Sequence, residues 1–309
     1  MISAPVLSAS VRAALVAAGL DPEQVAAVIA TALAEDLRDG PDVTTTATVP
    51  AEQSSVAAIT PRQPGVLAGG PVALAVFETV GAGFGGVSGE ILVPDGGTLV
   101  PGEPALLVRG RTAGLLTAER TALNLLTHLS GIATATRAWV DAVSGTGARV
   151  RDTRKTLPGL RALEKYAVRC GGGVNHRMSL GDAALIKDNH VEAAGSVRAA
   201  VAAVRSRNPL VVLEVEVDTL DQFEEALAAG ADLVMLDNFS TADTLAAVVR
   251  ARRESRPVRL ESSGGLTLAQ ASEVAATGVD YLAVGALTHS APALDLGLDL
   301  GLDLTAPAT

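Results

Sequence analysis

The chain has 309 residues, 48% of them hydrophobic and only 19% charged, with a formal net charge of −10 and a mean hydropathy of +0.34. That length buries a sizeable core in one large or two modest domains, and the single cysteine, Cys170, excludes a disulfide scaffold and any cysteine-based zinc site. A pI near 4.9, with one Trp, two Tyr and four Phe, excludes a general nucleic-acid surface, and the low-polarity stretches fall well short of the ~20 residues a spanning helix needs.

The first twenty residues lack a basic leader, with Arg12 as their only cation, and read as a cytoplasmic amphipathic helix from about Ser10 to Ala18. A second helix opens with Asp21 as N-cap, Pro22 at N1 and Gln24 at N3. EDLRDGPDVTTTATVP then reads as a polar, turn-rich loop. SVAAIT, EILV and PALLVRG are short strands punctuated by PG and GG pairs, with a helix near Pro71 to Val80. From Thr112, TAGLLTAERTALNLLTHLSG is helical, with Leu115, Ala122, Leu126 and Leu129 on one face. Arg120 borders that stripe and Glu119 lies within it, the mark of an internal ion pair or an interface. A further helix runs through ATRAWVDAV.

The second half alternates strand and helix: ARVRD, AALIKD, LVVLEVEVD, ADLVMLDN, PVRLESSGG and DYLAVGA are the strands. Six apolar runs feeding helices predict a parallel sheet, wrapped as an incomplete barrel because a closed one has eight strands. The fold class is therefore α/β: an N-terminal α/β sandwich domain over 1–130, an open α/β barrel of TIM-like repeats over 131–289, and a tail, 290–309, packing on the first domain.

Charge is concentrated. Between Arg149 and His190 nine cations face four anions, and all three lysines of the chain (Lys155, Lys165, Lys187) lie there. A cationic island in an acidic protein suits a small anion, and lysine kept against an arginine background suits a compact ammonium. Arg161, Glu164, Lys165 and Arg169 have helical spacing and read as a solvated face. Active sites of barrels sit at the C-terminal ends of the strands. There the sequence places Asp152, Arg154 and Lys155, then Lys187, Glu216, Asp237, Ser263 with Gly264, and Gly285. Arg154, Lys155, Arg177 and Lys187 suit carboxylates; His176 reads either with them or as a structural histidine. Glu216 and Asp237, with little nearby cation, suit Mg²⁺ or sugar hydroxyls, with Glu214 as a supporting rim residue. Ser263, Gly264, Gly265, Gly285 and Ala286 suit a phosphate cradle. His128, His190 and His289 have no metal-ligand spacing.

The stretch DTRKTLPGLRALEKYAVRCGGGVNHRMSLGDAALIKDNH resembles the quinolinate phosphoribosyltransferase family. EDLRDGPDVTT, THLSGIATAT, LEVEV, VMLDNF, LESSGG and VGALTHS are similar to that family's other blocks, in its order. The resemblance implies an α/β sandwich joined to an open barrel, a cytoplasmic homodimer with a shared active site, and two substrates, quinolinate and phosphoribosyl pyrophosphate, with Mg²⁺. By resemblance Arg120 crosses the interface, and Thr153, Arg154, Lys155, His176, Arg177 and Lys187 surround quinolinate. Glu216 and Asp237 take the ribose and magnesium side, and Ser263 to Gly265 with Val284, Gly285 and Ala286 take phosphate. Lys155, Lys187, Glu216 and Asp237 are the implied catalytic residues. The departure is the repeated tail LDLGLDLGLDL. A paralogous phosphoribosyltransferase, an aldolase using Lys187 as a Schiff-base nucleophile, and a non-catalytic anion-binding regulator remain as alternatives at this point.

Overall fold

The computed structural model describes residues 7–301. Leu302–Leu304 of the tail repeat lie outside them. The chain divides into two compact units: residues 1–135, 157–172 and 290–309 form the first, and 136–156 with 173–289 the second. The first unit is thus assembled from three separated stretches, and 157–172 belongs to it rather than to the barrel range expected.

In the first unit, α1 (Ala9–Ala17) is capped by Ser8, whose hydroxyl accepts the Val11 N–H. α2 (Pro22–Asp36) is capped by Asp21, which accepts the Glu23 N–H. The stretch expected to be a loop contains a short helix, α3 (Val43–Thr48), because Asp42 accepts the Thr45 N–H; the cap offsets the poor helix propensity of its threonines. β1 (Ser54–Pro61), β2 (Gly65–Val66), α4 (Gly70–Gly81), β3 (Val87–Ile91), β4 (Thr98–Leu99) and β5 (Leu106–Arg111) follow. The main sheet is antiparallel with order β12-β1-β5-β3, its outer strand β12 (Leu296–Leu300) coming from the tail. β12 takes two residues from the first copy of the LDLG repeat and three from the second.

Where two helices were expected there is one, α5 (Thr112–Ala142). Gly131 does not break it. A Cβ there would lie 2.1 Å from the Pro292 carbonyl oxygen, so the glycine lets the returning chain press against the helix. Leu115, Ala122, Leu126 and Leu129 are all buried, as their spacing predicts.

Helix α6 (Arg161–Cys170) corrects part of a second expectation: Arg169 is exposed and Arg161 half-buried, as a solvated face requires, but Glu164 and Lys165 are fully buried. Glu164 Oε1 lies 2.9 Å from His128 Nε2 of α5, and its Oε2 accepts the Leu157 N–H. Tyr166 donates to Asp95, and Arg169 donates to the Ala18 carbonyl. Partners distant in sequence cover the helix on several sides, which its own spacing does not reveal.

The second unit holds the six expected strands, β6 (Arg149–Arg151), β7 (Ala184–Ile186), β8 (Leu213–Val217), β9 (Leu233–Asp237), β10 (Arg259–Ser263) and β11 (Tyr281–Ala283). Their order is β6-β11-β10-β9-β8-β7 with every pairing parallel, so β6 and β7 form the two ends and the barrel is open. The helices are α7 (Asp188–Ala194), α8 (Val197–Arg207), α9 (Leu220–Ala229), α10 (Thr241–Ala251), α11 (Ala271–Ala276) and α12 (Ala286–His289). Ser196, Thr219 and Ser240 cap α8, α9 and α10 through their hydroxyls, fixing where each rim loop ends. No single described helix is long and apolar enough to cross a membrane.

Candidate active site

A cavity of about 350 Å³ opens at the C-terminal ends of these strands, lined by Thr153, Arg154, Lys155, His176, Arg177, Leu185, Lys187, Glu216, Met235, Asp237 and Ser263. The alternate positions 185 and 187, 235 and 237, and 214 and 216 follow from the two-residue period of a strand: each pair shares the inward face. The six cationic, hydroxyl and imidazole residues expected around a carboxylate ligand, Thr153 to Lys155 with His176, Arg177 and Lys187, are therefore brought together with Glu216, Asp237 and Ser263. Arg120 is not in this lining; it is exposed on α5 of the first unit.

Arg154 and Arg177 define the most polarised wall. Both are partly buried, and the Nε atom of each is buried with no hydrogen-bond partner. Arg177 donates through Nη1 to the Ala183 carbonyl. Burial, and next the charge of Arg154, holds the Arg177 guanidinium below its ordinary pKa. Two partly buried cations that repel each other in one cavity wall suit an anion.

Lys155 is exposed, and its backbone is fixed by Thr288 Oγ1, which donates to the Lys155 carbonyl at 2.8 Å. Gly285 lies against this lysine: a Cβ there would be 2.9 Å from Lys155 Cδ and 3.5 Å from Thr153 Oγ1. Opposite, Lys187 donates to Glu216. This corrects the expectation that Glu216 has no cation at hand; the partner lies 29 residues earlier, on the neighbouring strand's end. The Lys187 backbone N–H is in turn accepted by His190 Nδ1 at 3.0 Å.

Asp237 ends β9 and accepts from Asn238 Nδ2 at 2.8 Å. Asn238 is the only non-glycine residue with positive φ (+54°) among the described residues, and its N–H bonds the Ser263 carbonyl. Gly264 (φ +94°) closes over it: a Cβ would be 2.3 Å from Asn238 Oδ1 and 2.7 Å from its backbone nitrogen. Gly265 (φ +58°) has open space around it, Ala286 is exposed and Val284 is buried. Glu216 and Asp237 line the same cavity with carboxylate oxygens, the hard donors that Mg²⁺ takes, with Glu216 sharing its carboxylate with Lys187, so a metal there is held through Asp237 and through water and phosphate oxygens.

Beneath the cavity lies a buried ionic layer. Arg151 Nη1 contacts Glu261 Oε2 at 2.5 Å and its guanidinium stacks 4.5 Å from the Tyr281 ring centroid. His176 Nε2 lies 2.9 Å from Glu214 Oε2 and 3.8 Å from Glu261 Oε1. Glu214 is therefore buried beneath the rim rather than supporting it. Burial above all pushes the carboxyls of Glu214 and Glu261 up, each to about 7, against the opposing charge of Arg151. Sequence reasoning passed over Arg151, Glu261, Asn175 and Asn238. The usable signal was a glutamate in the inward register of RLESS, since a carboxylate inside a parallel sheet covered on both faces has to find a partner.

An open α/β barrel with an anion-binding rim defines a class of phosphate- and carboxylate-handling enzymes, and comparison with known proteins narrows it. The family model "Quinolinate phosphoribosyl transferase, C-terminal domain" matches residues 132–299, and the corresponding N-terminal domain model matches 42–130. The chain is 59% identical over 269 residues to the nicotinate-nucleotide pyrophosphorylase [carboxylating] of Mycobacterium leprae, covering 87% of this chain and 94% of that one. It is 39% identical over 291 residues to the human protein of that name, covering 93% and 95%. The solved nicotinate-nucleotide pyrophosphorylase of Francisella tularensis superposes with a TM-score of 0.86 at 38% identity, over 91% of this chain and 98% of that one. The chain belongs to the quinolinate phosphoribosyltransferase family.

Proposed function

We propose that the protein transfers phosphoribosyl from phosphoribosyl pyrophosphate to quinolinate with loss of CO₂, giving nicotinate mononucleotide and pyrophosphate, a step of NAD biosynthesis. The observation that carries this reading is the Arg154–Arg177 wall, two partly buried guanidinium groups that line one cavity and repel each other, which suits a dianion. Quinolinate supplies two adjacent carboxylates, and guanidinium forks grip such groups in two-point fashion.

In this reading Thr153, Arg154, Lys155, His176, Arg177 and Lys187 surround the acceptor, and Arg120 of the partner subunit in a cytoplasmic homodimer completes the pocket. Glu216 and Asp237 hold the ribose of the donor and, directly or through water, Mg²⁺. Ser263 to Gly265 and Val284 to Ala286 receive its phosphates. When bound, Mg²⁺ neutralises charge on the departing pyrophosphate. The residues of the chain align the quinolinate nitrogen with the anomeric carbon, where the C–O bond to pyrophosphate breaks as the C–N bond forms through an oxocarbenium-like state. The quaternised ring then accepts the electron pair released when the adjacent carboxylate leaves as CO₂, and the ring carbon takes a proton. The ion pair between Lys187 and Glu216 joins the two halves of the site and engages the ammonium that an aldolase would need as its free nucleophile.

The test is incubation with phosphoribosyl pyrophosphate, Mg²⁺ and quinolinate. Nicotinate mononucleotide and CO₂ should appear in equal amounts; nucleotide without equivalent CO₂, or no nucleotide, overturns the assignment.

A further inference from the structure

We propose that Glu214 and Glu261 are positioning residues for the acceptor half of the site: through His176 they fix the backbone that delivers Arg177. This rests on the function proposed above.

The segment leading to Arg177 forms no helix or named strand; its one sheet contact is a bridge from Val174 to Arg151. Side chains hold it instead. Asp152, fully buried, accepts the His176 N–H with Oδ1 at 2.8 Å and Asn175 Nδ2 with Oδ2 at 2.5 Å. His176 Nδ1 accepts the N–H of Arg177 at 2.7 Å. A nitrogen that accepts a hydrogen bond carries no proton, so the imidazole proton sits on Nε2, which lies 2.9 Å from Glu214 Oε2 in a close contact whose alignment falls short of a hydrogen bond. Both ring nitrogens are thereby committed to protein atoms. His176 lines the cavity as a neutral post, and the charge that meets the ligand beside it is that of Arg177.

Glu261 closes the far side of the ring and is anchored by Arg151. One donor atom each from His176, Glu214 and Glu261 lie within 4.8 Å of one another, a grouping also compatible with a metal ion. The close His176–Glu214 contact and the guanidinium already on Glu261 argue for a support built from protein atoms, because a cation would have to displace the first and would be repelled by the second.

The experiment compares Glu214→Leu, Glu214→Gln and Glu261→Gln with the wild type, by calorimetric titration of quinolinate, by KM for each substrate, and by elemental analysis. Glu214→Gln retains an acceptor oxygen for the Nε2 proton. Glu214→Leu should weaken quinolinate binding and raise its KM about tenfold or more, with KM for phosphoribosyl pyrophosphate changed less than about twofold; Glu214→Gln should stay within about threefold of wild type. If Glu214→Leu does not fold, Glu261→Gln, which loosens the other side of the ring, should show the same one-sided shift. Equal shifts for both substrates, unchanged quinolinate binding, or a stoichiometric metal lost on mutation would overturn the proposal. Because the titration needs no turnover, a wild type that binds quinolinate but forms no nucleotide would defeat the functional reading separately.

Discussion

Gly264→Ala separates backbone strain from crowding at the junction of β9 and β10. Gly264 and Gly265 both have positive φ, +94° and +58°, so alanine at either position incurs a conformational cost of ~1–2 kcal/mol. Only Gly264 is enclosed: its Cβ would fall 2.3 Å from Asn238 Oδ1, 2.6 Å from Cγ and 2.7 Å from the backbone nitrogen. The amide can swing away, but the nitrogen is held by its bond to the Ser263 carbonyl at 2.9 Å. Overpacking adds ~1–3 kcal/mol, so Gly264→Ala should destabilise by about 2–5 kcal/mol and Gly265→Ala by no more than about 2. Urea unfolding measures both. Displacing the Asn238 amide also removes the hydrogen bond to Asp237, so Gly264→Ala alone should weaken phosphoribosyl pyrophosphate binding, measured by calorimetry. Adding Asn238→Gly to Gly264→Ala should recover part of the stability and none of the binding. Equal destabilisation by the two alanines, or unaltered donor binding in Gly264→Ala, would refute the reasoning.

The acceptor wall predicts that quinolinate is preferred over nicotinate by at least about a hundredfold in kcat/KM, because a monoanion leaves buried positive charge uncompensated at a cost of several kcal/mol; comparable values for the two acids would contradict it. Lys165→Arg should lower stability by ~1–3 kcal/mol in urea unfolding, since a bulkier head has to enter a fully buried position; an unchanged midpoint would show that α6 yields easily. Burial, and next the charge of Glu214, raise Glu261 to about 7 from an ordinary 4.5 against the opposing pull of Arg151 and His176, so the folded state binds its proton more tightly than the unfolded state. Its contribution is full below about pH 4.5 and is lost as pH rises through about 7; the difference in urea midpoint between wild type and Glu261→Gln at pH 5.5 and 8 should show this slope, and a pH-independent difference would exclude it.

The barrel was legible because its information is local. Runs such as LVVLEVEVD and ADLVMLDN are apolar on both faces and end in a polar residue, so strand, burial and rim position could be read together, and Lys187, Glu216, Asp237 and Ser263 meet at the cavity. What was not legible depends on partners remote in the chain. The charges of α6 have the spacing of a wet surface, and partners such as His128 and Asp95, remote in the chain, bury its Glu164 and Tyr166. Gly131 looks like a stop until the chain near Pro292 arrives beside it. The pairing of Lys187 with Glu216 and the lone-pair role of His176 Nδ1 need coordinates, since composition cannot say which nitrogen holds a proton.

The strand that closes the first unit has a consequence for biosynthesis. β1 emerges from the ribosome early, yet Pro61 waits for Leu296, about 235 residues later, before its outer edge is paired. During that interval the nascent chain carries an open strand edge, the kind of surface that recruits other chains. The barrel, by contrast, has all its strands between Arg149 and Ala283 and can fold as they appear. Synthesis order and assembly order are therefore crossed: the part made first is completed last. A chain truncated before Leu296 would leave a barrel with its neighbour's sheet unfinished.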